Sequence, residues 1–574
     1  MYLVLSSAVG APMLKLDKYL LRSVAMALGY FCLVLHSHIP YTKKAGKWPF
    51  GEEWLYEAMA ETYIPILDIL AAFTGSSRVC VSISPVLMEQ LKDPYMNDGF
   101  KEYLQHRLSA AKADVARFAA TFDHRLRKLA EGHVEYYEKI RDSYVRKWNC
   151  DLVQAFRRLQ DSGRIEAITT AATHAYLPLM NREMFIRMQL LVGREVYRAH
   201  MGTDPVGIWL PECGYRPGAG NAKGDQVSRR GIEQYLQDLG IRYFLVDSHA
   251  IEGGEPLGIY SAQLPAVQWE ASTPTGKSTF RPYYVEGSGV AVFGRDRRTG
   301  SQVWSSEWGY PGDGSYREFH KRDEKSGLRY WRVTNRLTGL DRKELYDPDQ
   351  ARTRIDEQSD HFVRLVRDLL AGFAASSDVP GVLVAPYDIE FFGHWWYEGP
   401  EWLRQVLVKL ESIADVEVST PGIYLQKHPP TEAVRLRESS WGAGGKHHAW
   451  MNHATTWLWK DLADAESRLI AAIERYRNTL ASDPHVLRLI NQAIRELMLM
   501  QSSDWPFLIT TGQAADYAKS RFIEHKERLD LVLRAVEALS TDRHCDPPLV
   551  DLDQIEHIDS LFSDLNLSTL VNLS

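Results

Sequence analysis

The chain has 574 residues, with 67 Lys or Arg against 74 Asp or Glu, so its formal net charge at pH 7 is -7. This length predicts one large domain with additions, or several domains, and it is ample for a substantial core. Glycine and proline number only 39 and 26, too few for a fibrous or disordered chain. The mildly acidic balance, without a basic block, argues against a nucleic-acid-binding protein.

The five cysteines are scattered and form no C-x-x-C pair, which predicts neither a disulfide framework nor a cysteine-ligated zinc ion. The apolar stretch 19–35 is interrupted by Arg22 and ends as a strand. We therefore predict neither a membrane span nor a cleaved signal peptide, and we expect a cytoplasmic protein. Residues 1–25 are predicted to be a dispensable extension, with Met26 as the biological start.

Seven short runs rich in β-branched and aromatic residues alternate with long helical patterns, which indicates βα units and a parallel sheet. These predicted strands are residues 30–35, 79–83, 165–170, 206–210, 242–246, 382–385 and 416–420. Polar residues follow five of these strands, namely His36 and His38, Thr173 and His174, Glu212, Asp247, and Asp388. Because the carboxyl ends of barrel strands converge on one face, this pattern favours a TIM-like barrel over an open sheet.

The rest of the chain is assigned from its periodicity and composition. Apolar residues that recur every three or four positions predict a helical insertion over 95–160, too long for a simple βα connection. Residues 251–281, rich in Gly, Pro and Tyr, predict an irregular loop excursion near the site. The predicted organisation is a catalytic barrel over 26–420, a C-terminal helical domain over 421–545 and a tail over 546–574.

Two carboxylates lie directly after predicted strands that are far apart in sequence. Glu212 lies in GIWLPECGY and Asp388 in LVAPYDIEFFGHWWYEGP. Such a pair suits glycosidic bond cleavage, in which one group protonates the departing oxygen while the other attacks or activates water at the anomeric carbon. The alternative is that each carboxylate simply pairs with an arginine.

The tryptophans support a saccharide cleft. Eleven of the 16 lie between Trp304 and Trp505, several of them in glycine-containing, loop-like contexts such as SSWGAGG. Flat aromatic faces stack on the apolar C–H faces of sugar rings. Packing in the core or between domains is the competing explanation for these residues.

His36 and His38 point to the same face of a strand, as ligands of a metal-dependent hydrolase do. A metal site would need further ligands, for which His174, Asp247 and Asp388 are candidates. From the residues alone, metal binding, hydrogen bonding to a sugar and a purely structural role for the histidines remain open alternatives. The chain has no Walker-type loop, no G-x-G-x-x-G after a strand and no G-x-S-x-G elbow, so phosphate binding and serine hydrolysis have no support.

Taken together, five ordered motifs resemble glycoside hydrolase family 57 and, within it, the 1,4-α-glucan branching enzymes. In chain order these motifs are LVLHSHIPYTKKAGKWPFGEEWLYEA, AATHAYLP, GIWLPECGY, APYDIEFFGHWWYEGP and SSWGAGG. The residues of the stretches KWPFGEEW and GHWWYEGP favour the branching subgroup over the amylases and glucanotransferases of the family.

The resemblance implies an α/β fold, a distorted (β/α)7 TIM-like barrel with a helical insertion and a C-terminal helical domain. It also implies a retaining mechanism with Glu212 as nucleophile and Asp388 as general acid/base. The substrate-binding residues that it implies are His36, His38, His174, Arg295, Gly312, Trp441 and Asp504, the cleft aromatics Trp48, Trp304 and Trp450, and a mobile-loop tyrosine, Tyr260.

On this interpretation the histidines contact substrate, no metal or cofactor is required, and the partner is an α-glucan such as amylose or glycogen. The alternatives within the family are a 4-α-glucanotransferase and an α-amylase. More distant alternatives are a metal-dependent carbohydrate deacetylase with His36 and His38 as ligands, and a non-catalytic glucan-binding protein. The sequence predicts no oligomeric state.

Overall fold

The computed structural model describes residues 28–47, 50–219, 229–256, 271–305, 308–480, 482–539 and 551–567. Trp48, Tyr260, the predicted extension 1–25 and the central part of the excursion 251–281 lie outside the described residues. No helix in the described ranges is long and apolar enough to cross a membrane.

The strands supply the frame of the fold. In the described residues they are β1 (Gly29–Ser37), β2 (Val79–Ile83), β3 (Ile165–Ile168), β4 (Gly207–Ile208), β5 (Tyr243–Val246), β6 (Tyr283–Val285), β7 (Ala291–Gly294), β8 (Gly381–Asp388), β9 (Val416–Val418) and β10 (Ala433–Val434). Strand β1 pairs in parallel with β2 and β8, β2 with β3, and β5 with both β4 and β7.

These pairings place β3, β2, β1 and β8 in one sheet and β4, β5 and β7 in another. Two backbone hydrogen bonds join the two sheets into a barrel. The Trp209 N–H donates to the Thr169 carbonyl (2.8 Å) just beyond β3, and the Asp296 N–H donates to the Val384 carbonyl of β8 (2.9 Å). Strands β1, β2, β3, β4, β5, β7 and β8 thus form a closed circuit of seven. This arrangement confirms the predicted distorted seven-stranded barrel, buried on both faces as parallel sheets usually are.

The identity of one barrel strand differs from the prediction. The sequence pattern included residues 416–420 and missed β7, a four-residue strand in a glycine-rich stretch. Strand β9 pairs with Gly29–Phe31 of β1, and its Val418 carbonyl accepts the Arg78 N–H (3.3 Å) just before β2. It therefore lies between β1 and β2 at their amino ends only, away from the face where the site is built.

The helices surround this barrel and extend it. They are α1 (Glu52–Ala58), α2 (Ile64–Ala72), α3 (Pro85–Lys92), α4 (Pro94–Ala120), α5 (His124–Asp142), α6 (Leu152–Asp161), α7 (Glu183–Met201), α8 (Ile232–Asp238), α9 (Ser248–Glu252), α10 (Arg297–Trp304), α11 (Pro348–Ala374), α12 (Gly399–Glu411), α13 (Pro421–Lys427), α14 (Thr456–Tyr476), α15 (Pro484–Met500), α16 (Asp504–Thr511), α17 (Ala515–Ala538) and α18 (Leu552–Ile558). A π-helical turn, Met59–Tyr63, joins α1 to α2.

Helices α4 and α5, which lie between β2 and β3 in the chain, pack against each other. Asp93 caps α4 by accepting the N–H groups of Tyr95 and Met96 (2.8 and 3.3 Å), which satisfies donors that a helix start leaves free. The buried faces of the pair carry Leu104, Leu108 and Tyr137. These residues are part of one hydrophobic core that also includes the outer face of the barrel.

The C-terminal helices contact the barrel at the carboxyl end of its strands. The Ser503 N–H donates to the His174 carbonyl (3.0 Å), and Ser502 forms a bridge with Ala175. These contacts fix the start of α16 beside the loop that follows β3. The C-terminal region therefore contributes residues directly to the catalytic face.

The segment after residue 545, for which the sequence predicted only a tail, is packed where it is described. Asp559 follows α18 and is fully buried; its Oδ2 lies 2.6 Å from Arg528 Nε and 3.5 Å from His525 Nδ1 of α17. The Tyr41 hydroxyl donates to the Ile558 carbonyl (2.9 Å). This segment therefore connects α17 to the loop that follows β1.

Replacing Asp559 by Asn should release this segment, because the substitution removes the nearer of the two buried carboxylates that Arg528 contacts; the other, Glu496, lies 3.5 Å away. Breaking a buried pair in this way costs about 3 kcal/mol, so the midpoint of thermal unfolding should fall by several degrees in calorimetry. The control is Asp553→Asn, which removes an ion pair to Arg488 from a side chain that is 83% exposed and should change little. Equal midpoints for the two variants would show that the buried pair does not hold the segment.

Candidate active site

Glu212 lies in a 3-10 turn, Pro211–Cys213, immediately after β4. Its backbone has φ of +60°, in the left-handed region, and His174 after β3 is similar at +57°. A non-glycine residue in this region costs on the order of 1 kcal/mol and persists only where its surroundings impose it. One such constraint is the backbone N–H of Trp441, which donates to the backbone carbonyl of Glu212 (3.2 Å).

The Glu212 carboxylate is oriented by two donors from the C-terminal half of the chain. Trp441 Nε1 donates to Oε2 (2.8 Å) and Ser503 Oγ donates to Oε1 (3.2 Å). Burial raises the pKa of Glu212 to about 7, the indole N–H acts against this rise, and the neighbouring Asp388 and Asp504 add to it. The group is therefore only partly protonated near pH 7, and its anion has a fixed orientation, as a nucleophile must have.

Asp388 is the last residue of β8 and lies opposite His36 in the register with β1. Burial, followed by the charge of Glu390, raises the pKa of Asp388 well above its usual range, while Arg295 opposes the shift. A carboxyl group in this environment keeps its proton near neutral pH. The two carboxyls thus differ in their environments as an acid and a nucleophile should.

His36 and His174 form a buried pair beside these carboxyls. Their Nε2 atoms lie 3.0 Å apart, His36 Nδ1 lies 3.0 Å from Ser82 Oγ, and His174 Nδ1 lies 2.8 Å from Ser503 Oγ. The His36 ring stacks on Trp209 with centroids 4.6 Å apart. Burial and the neighbouring imidazoles lower the pKa of both histidines well below the usual value, so both rings are neutral.

His38 stacks on His174, with ring centroids 3.9 Å apart, and is held at both nitrogens. Its Nδ1 lies 2.9 Å from Ser84 Oγ and its Nε2 lies 2.9 Å from Asp504 Oδ2. Burial opposes ionisation of Asp504, but His38 outweighs it and lowers the pKa of this carboxyl to about 2. Asp504 is therefore an anion throughout the neutral range.

His38, His174 and Asp504 lie close enough together to hold a metal ion. This group differs from the ligand set considered from the sequence, because His36 is not part of it. Both ring nitrogens of His38 and of His174 already have protein partners. Asp247, the other acidic candidate, is bound by an arginine instead.

That arginine is Arg295, the residue after β7. Its Nη2 and Nε donate to the two carboxylate oxygens of Asp247 (2.9 and 3.3 Å). Burial acts against the Asp247 anion, but Arg295 holds the pKa of Asp247 well below its usual range. The guanidinium carbon lies 5.8 Å from the centroid of the Trp441 ring, and Nη1 is buried without a hydrogen-bond partner among the described residues.

Aromatic rings line the site next to Glu212. Trp441 meets Trp209 and Trp304 edge to face, with centroids 5.2 and 6.2 Å apart. Trp304 is only half-buried and lies 4.6 Å from Phe391, centroid to centroid. It therefore presents part of its surface outward, as a wall of a saccharide cleft would.

Two residues expected at the cleft occupy other environments. Trp450 is fully buried and stacks on Tyr176 with centroids 4.1 Å apart, so in this conformation it supports the wall from behind instead of facing a ligand. Gly312 lies in the 3-10 turn Tyr310–Gly312 beside a cavity of about 390 Å³. Its carbonyl accepts from Arg336 Nε (3.3 Å), and among the described residues no hydrogen bond or ring contact joins this turn to Glu212 or Asp388.

The sequence pattern missed three residues that the structure brings into the site. Ser503 bonds both Glu212 and His174, Trp209 stacks on His36, and Glu390 lies two residues after Asp388. Each lies beside a predicted site residue in the sequence. Proximity along the chain was thus the available signal, although it does not say which neighbour points inward.

Comparison with known proteins identifies the family. The profile described as glycosyl hydrolase family 57 matches residues 32–437. The chain belongs to glycoside hydrolase family 57. A second profile, described as the C-terminal region of 1,4-alpha-glucan branching enzyme, matches residues 461–569. This match includes residues after 545, for which the sequence predicted only a tail.

Several relatives are similar over most of the chain. The 1,4-alpha-glucan branching enzyme of Thermococcus kodakarensis is 45% identical over 504 residues, or 87% of this chain and 72% of that protein. The crystal structure of the family 57 branching enzyme from this organism, in complex with glucose, has a TM-score of 0.86 at 41% identity and covers 95% of this chain and 97% of that one. The alpha-amylase AmyC of Thermotoga maritima has a TM-score of 0.80 at 29% identity, with coverages of 95% and 99%.

Replacing Trp441 by Phe should keep a ring beside Glu212 but remove the N–H that stabilises its anion. The pKa of Glu212 should rise, so the acid limb of the pH profile of kcat/KM should move upward by about one pH unit, since a hydrogen bond to a charged group is worth about 1.5 kcal/mol or more. The loss of activity should be larger at pH 6 than at pH 8.

The matched control is Trp457→Phe, which removes an indole bond to the Ala454 carbonyl (3.0 Å) in the C-terminal helices. Its acid limb should coincide with that of the unmodified protein. An unchanged acid limb in Trp441→Phe would mean that this indole does not tune Glu212.

Proposed function

We propose that this chain is a 1,4-α-glucan branching enzyme that cleaves an α-1,4-linked glucan with retention and transfers the released segment to an O6 hydroxyl, forming an α-1,6 branch. The observation that carries the proposal is the pair Glu212 and Asp388, two carboxyls at the ends of barrel strands with different hydrogen-bonding environments. The similarity to branching enzymes over both the barrel and the C-terminal region supports this reaction in particular.

In the first step Glu212 is the nucleophile and Asp388 the acid. The Glu212 carboxylate attacks C1 of a glucosyl unit while Asp388 protonates the departing O4, so the C1–O4 bond breaks as a C1–carboxylate bond forms. The Trp441 and Ser503 donors aim the carboxylate. Because its pKa is high, Asp388 retains its proton until it transfers the proton to O4 as the C1–O4 bond breaks.

In the second step Asp388 acts as the general base. As a carboxylate it takes the proton from O6 of an acceptor glucan, and this oxygen attacks C1 and releases Glu212. Two inversions at C1 give net retention. Water must be kept from the same position, and the partly exposed ring of Trp304, which packs against the buried ring of Trp441, suits both stacking on an acceptor sugar and exclusion of solvent.

The polar groups around the carboxyls suit recognition of sugar hydroxyls. His38, Asp504 and Arg295 offer donors and acceptors whose own positions are fixed by buried partners. The neutral histidine pair can accept or donate without a change of charge. These roles are the proposal for the histidines that the sequence left open between substrate and metal.

The similarity to an alpha-amylase at a TM-score of 0.80 makes hydrolysis the second candidate. An amylase would use the same two carboxyls with water as the acceptor. The reaction product separates the two, because hydrolysis creates a reducing end for every bond cleaved whereas transfer does not.

The replacements Glu212→Gln and Asp388→Asn should each lower the rate of branch formation by about 10³-fold or more, because each removes a group that acts in both steps. Thermal unfolding should change little, since a neutral amide of the same shape replaces a buried carboxyl. The control is Glu466→Gln in α14. Glu466 is a buried carboxyl that accepts a hydrogen bond from Gln501, and burial raises the pKa of Glu466 to about 7. This variant should stay active. Turnover near the unmodified rate in either catalytic variant would contradict the assignment.

The function itself is tested by incubating amylose with the purified protein and integrating the α-1,6 and α-1,4 anomeric signals by proton NMR, with new reducing ends assayed in parallel. We expect α-1,6 signal to grow with few new reducing ends. Reducing ends without α-1,6 signal would instead identify an amylase, and lengthened α-1,4 chains would identify a glucanotransferase.

A further inference from the structure

A third carboxyl, Glu390, lies beside the catalytic pair and has no part in the mechanism above. It lies in the 3-10 turn Ile389–Phe391, which begins directly after Asp388, and its side chain is buried. Its Oε1 accepts the backbone N–H of His38 (3.0 Å) and the hydroxyl of Tyr63. A buried carboxyl is costly unless its surroundings compensate it, so its presence calls for a specific reason.

These bonds connect three elements at one point. His38 follows β1, Tyr63 ends the π-helical turn Met59–Tyr63, and Glu390 belongs to the turn after β8. The Trp395 N–H also donates to the Glu390 carbonyl (3.3 Å). Nearby, Gly393 has φ of +116° and approaches the Glu61 carbonyl so closely that a Cβ would collide with it. The segment that carries Asp388 is thus fixed against β1 and the π-helical turn.

The charges around this point come from several elements. Asp388 faces Glu390, Arg295 after β7, Asp504 of α16 and Glu212 after β4; Glu390 faces Tyr63, His38, Asp388 and Asp504. The cation Arg295 acts on Asp388, and no lysine or arginine of the described residues bonds Glu390. Burial raises the pKa of Glu390 to about 8, with its hydrogen bonds opposing the shift. Two neighbouring carboxyls with raised pKa values titrate as a coupled pair.

We propose that Glu390 is a positioning residue for Asp388, which both fixes the turn that follows Asp388 and, as a second carboxyl, keeps Asp388 protonated to higher pH than an uncharged neighbour would. This inference rests on the proposed role of Asp388 as general acid/base. Once either carboxyl of the pair ionises, its negative charge disfavours ionisation of the other. The acid that must protonate O4 therefore persists at the alkaline end of the working range.

Two substitutions separate the anchoring role from the charge role. In Glu390→Gln an amide oxygen can still accept the His38 and Tyr63 bonds, but the group no longer ionises. In Glu390→Asp the charge remains, but the shorter side chain cannot make both bonds. The readout is the pH profile of kcat/KM for α-1,6 bond formation on amylose, measured from pH 5 to about pH 9.

We expect Glu390→Gln to move the basic limb of this profile to lower pH by about one pH unit, because Asp388 then ionises beside an uncharged group. The acid limb, which reports Glu212, should stay in place. Glu390→Asp should keep the basic limb near its original position and lower kcat/KM at every pH. Glu466→Gln, the buried carboxyl away from the site, should change neither limb.

A basic limb in Glu390→Gln that coincides with that of the unmodified protein would overturn the charge role, and an unreduced rate in Glu390→Asp would overturn the anchoring role. If Glu390→Gln does not fold, the test rests on Glu390→Asp. A shifted basic limb in that variant would contradict the inference. Failure of the proposed function looks different, because the unmodified protein would then form no α-1,6 bonds, or Asp388→Asn would remain active.

Discussion

The constraint on which this structure depends is the cost of placing carboxyl groups in a largely buried, aromatic-lined site. An anion in this site is stabilised by a donor or a cation beside it, and burial favours the protonated carboxyl where that stabilisation is smaller than the cost of burial. Glu212 has the indole of Trp441 and the hydroxyl of Ser503, Asp504 has His38, and Asp247 has Arg295. Asp388 and Glu390 form no ion pair among the described residues, and burial raises the pKa of both, although Arg295 opposes the shift at Asp388 and hydrogen bonds oppose it at Glu390. The effect of burial is thus outweighed at Asp504 and Asp247, whose pKa values are lowered, and it dominates at Asp388 and Glu390.

This distribution explains why the site draws on the whole chain. The barrel provides carboxyls at the ends of β4 and β8, but the groups that aim Glu212 come from the loop around Trp441 and from the start of α16. That start is held by backbone bonds to the loop after β3, and α17 is in turn bound to Asp559, which directly follows α18. The C-terminal helices therefore complete the catalytic face, and a barrel without them would leave Glu212 without the Ser503 donor.

Much of the fold could be predicted because hydrophobic periodicity is a local signal. Six of the seven barrel strands, the long helices α4 and α5, and the C-terminal helices all have patterns of burial that a single stretch of sequence reveals. Strand β7 did not, because it is four residues long and follows a glycine-rich turn. Its place in the barrel depends on pairing with β5 and β8, which lie far from it along the chain.

The sequence by itself determined the family, the chemistry of the two carboxyls and most of the polar residues around them, since strand ends and motifs carry that information locally. Only the tertiary structure decided which partners those groups meet. It turned Trp450 inward onto Tyr176, bound Asp247 to Arg295, and brought Ser503 and Glu390 to the catalytic residues. The physical reason is that charge state and orientation depend on contacts across the barrel, between residues separated by hundreds of positions, which no local pattern records.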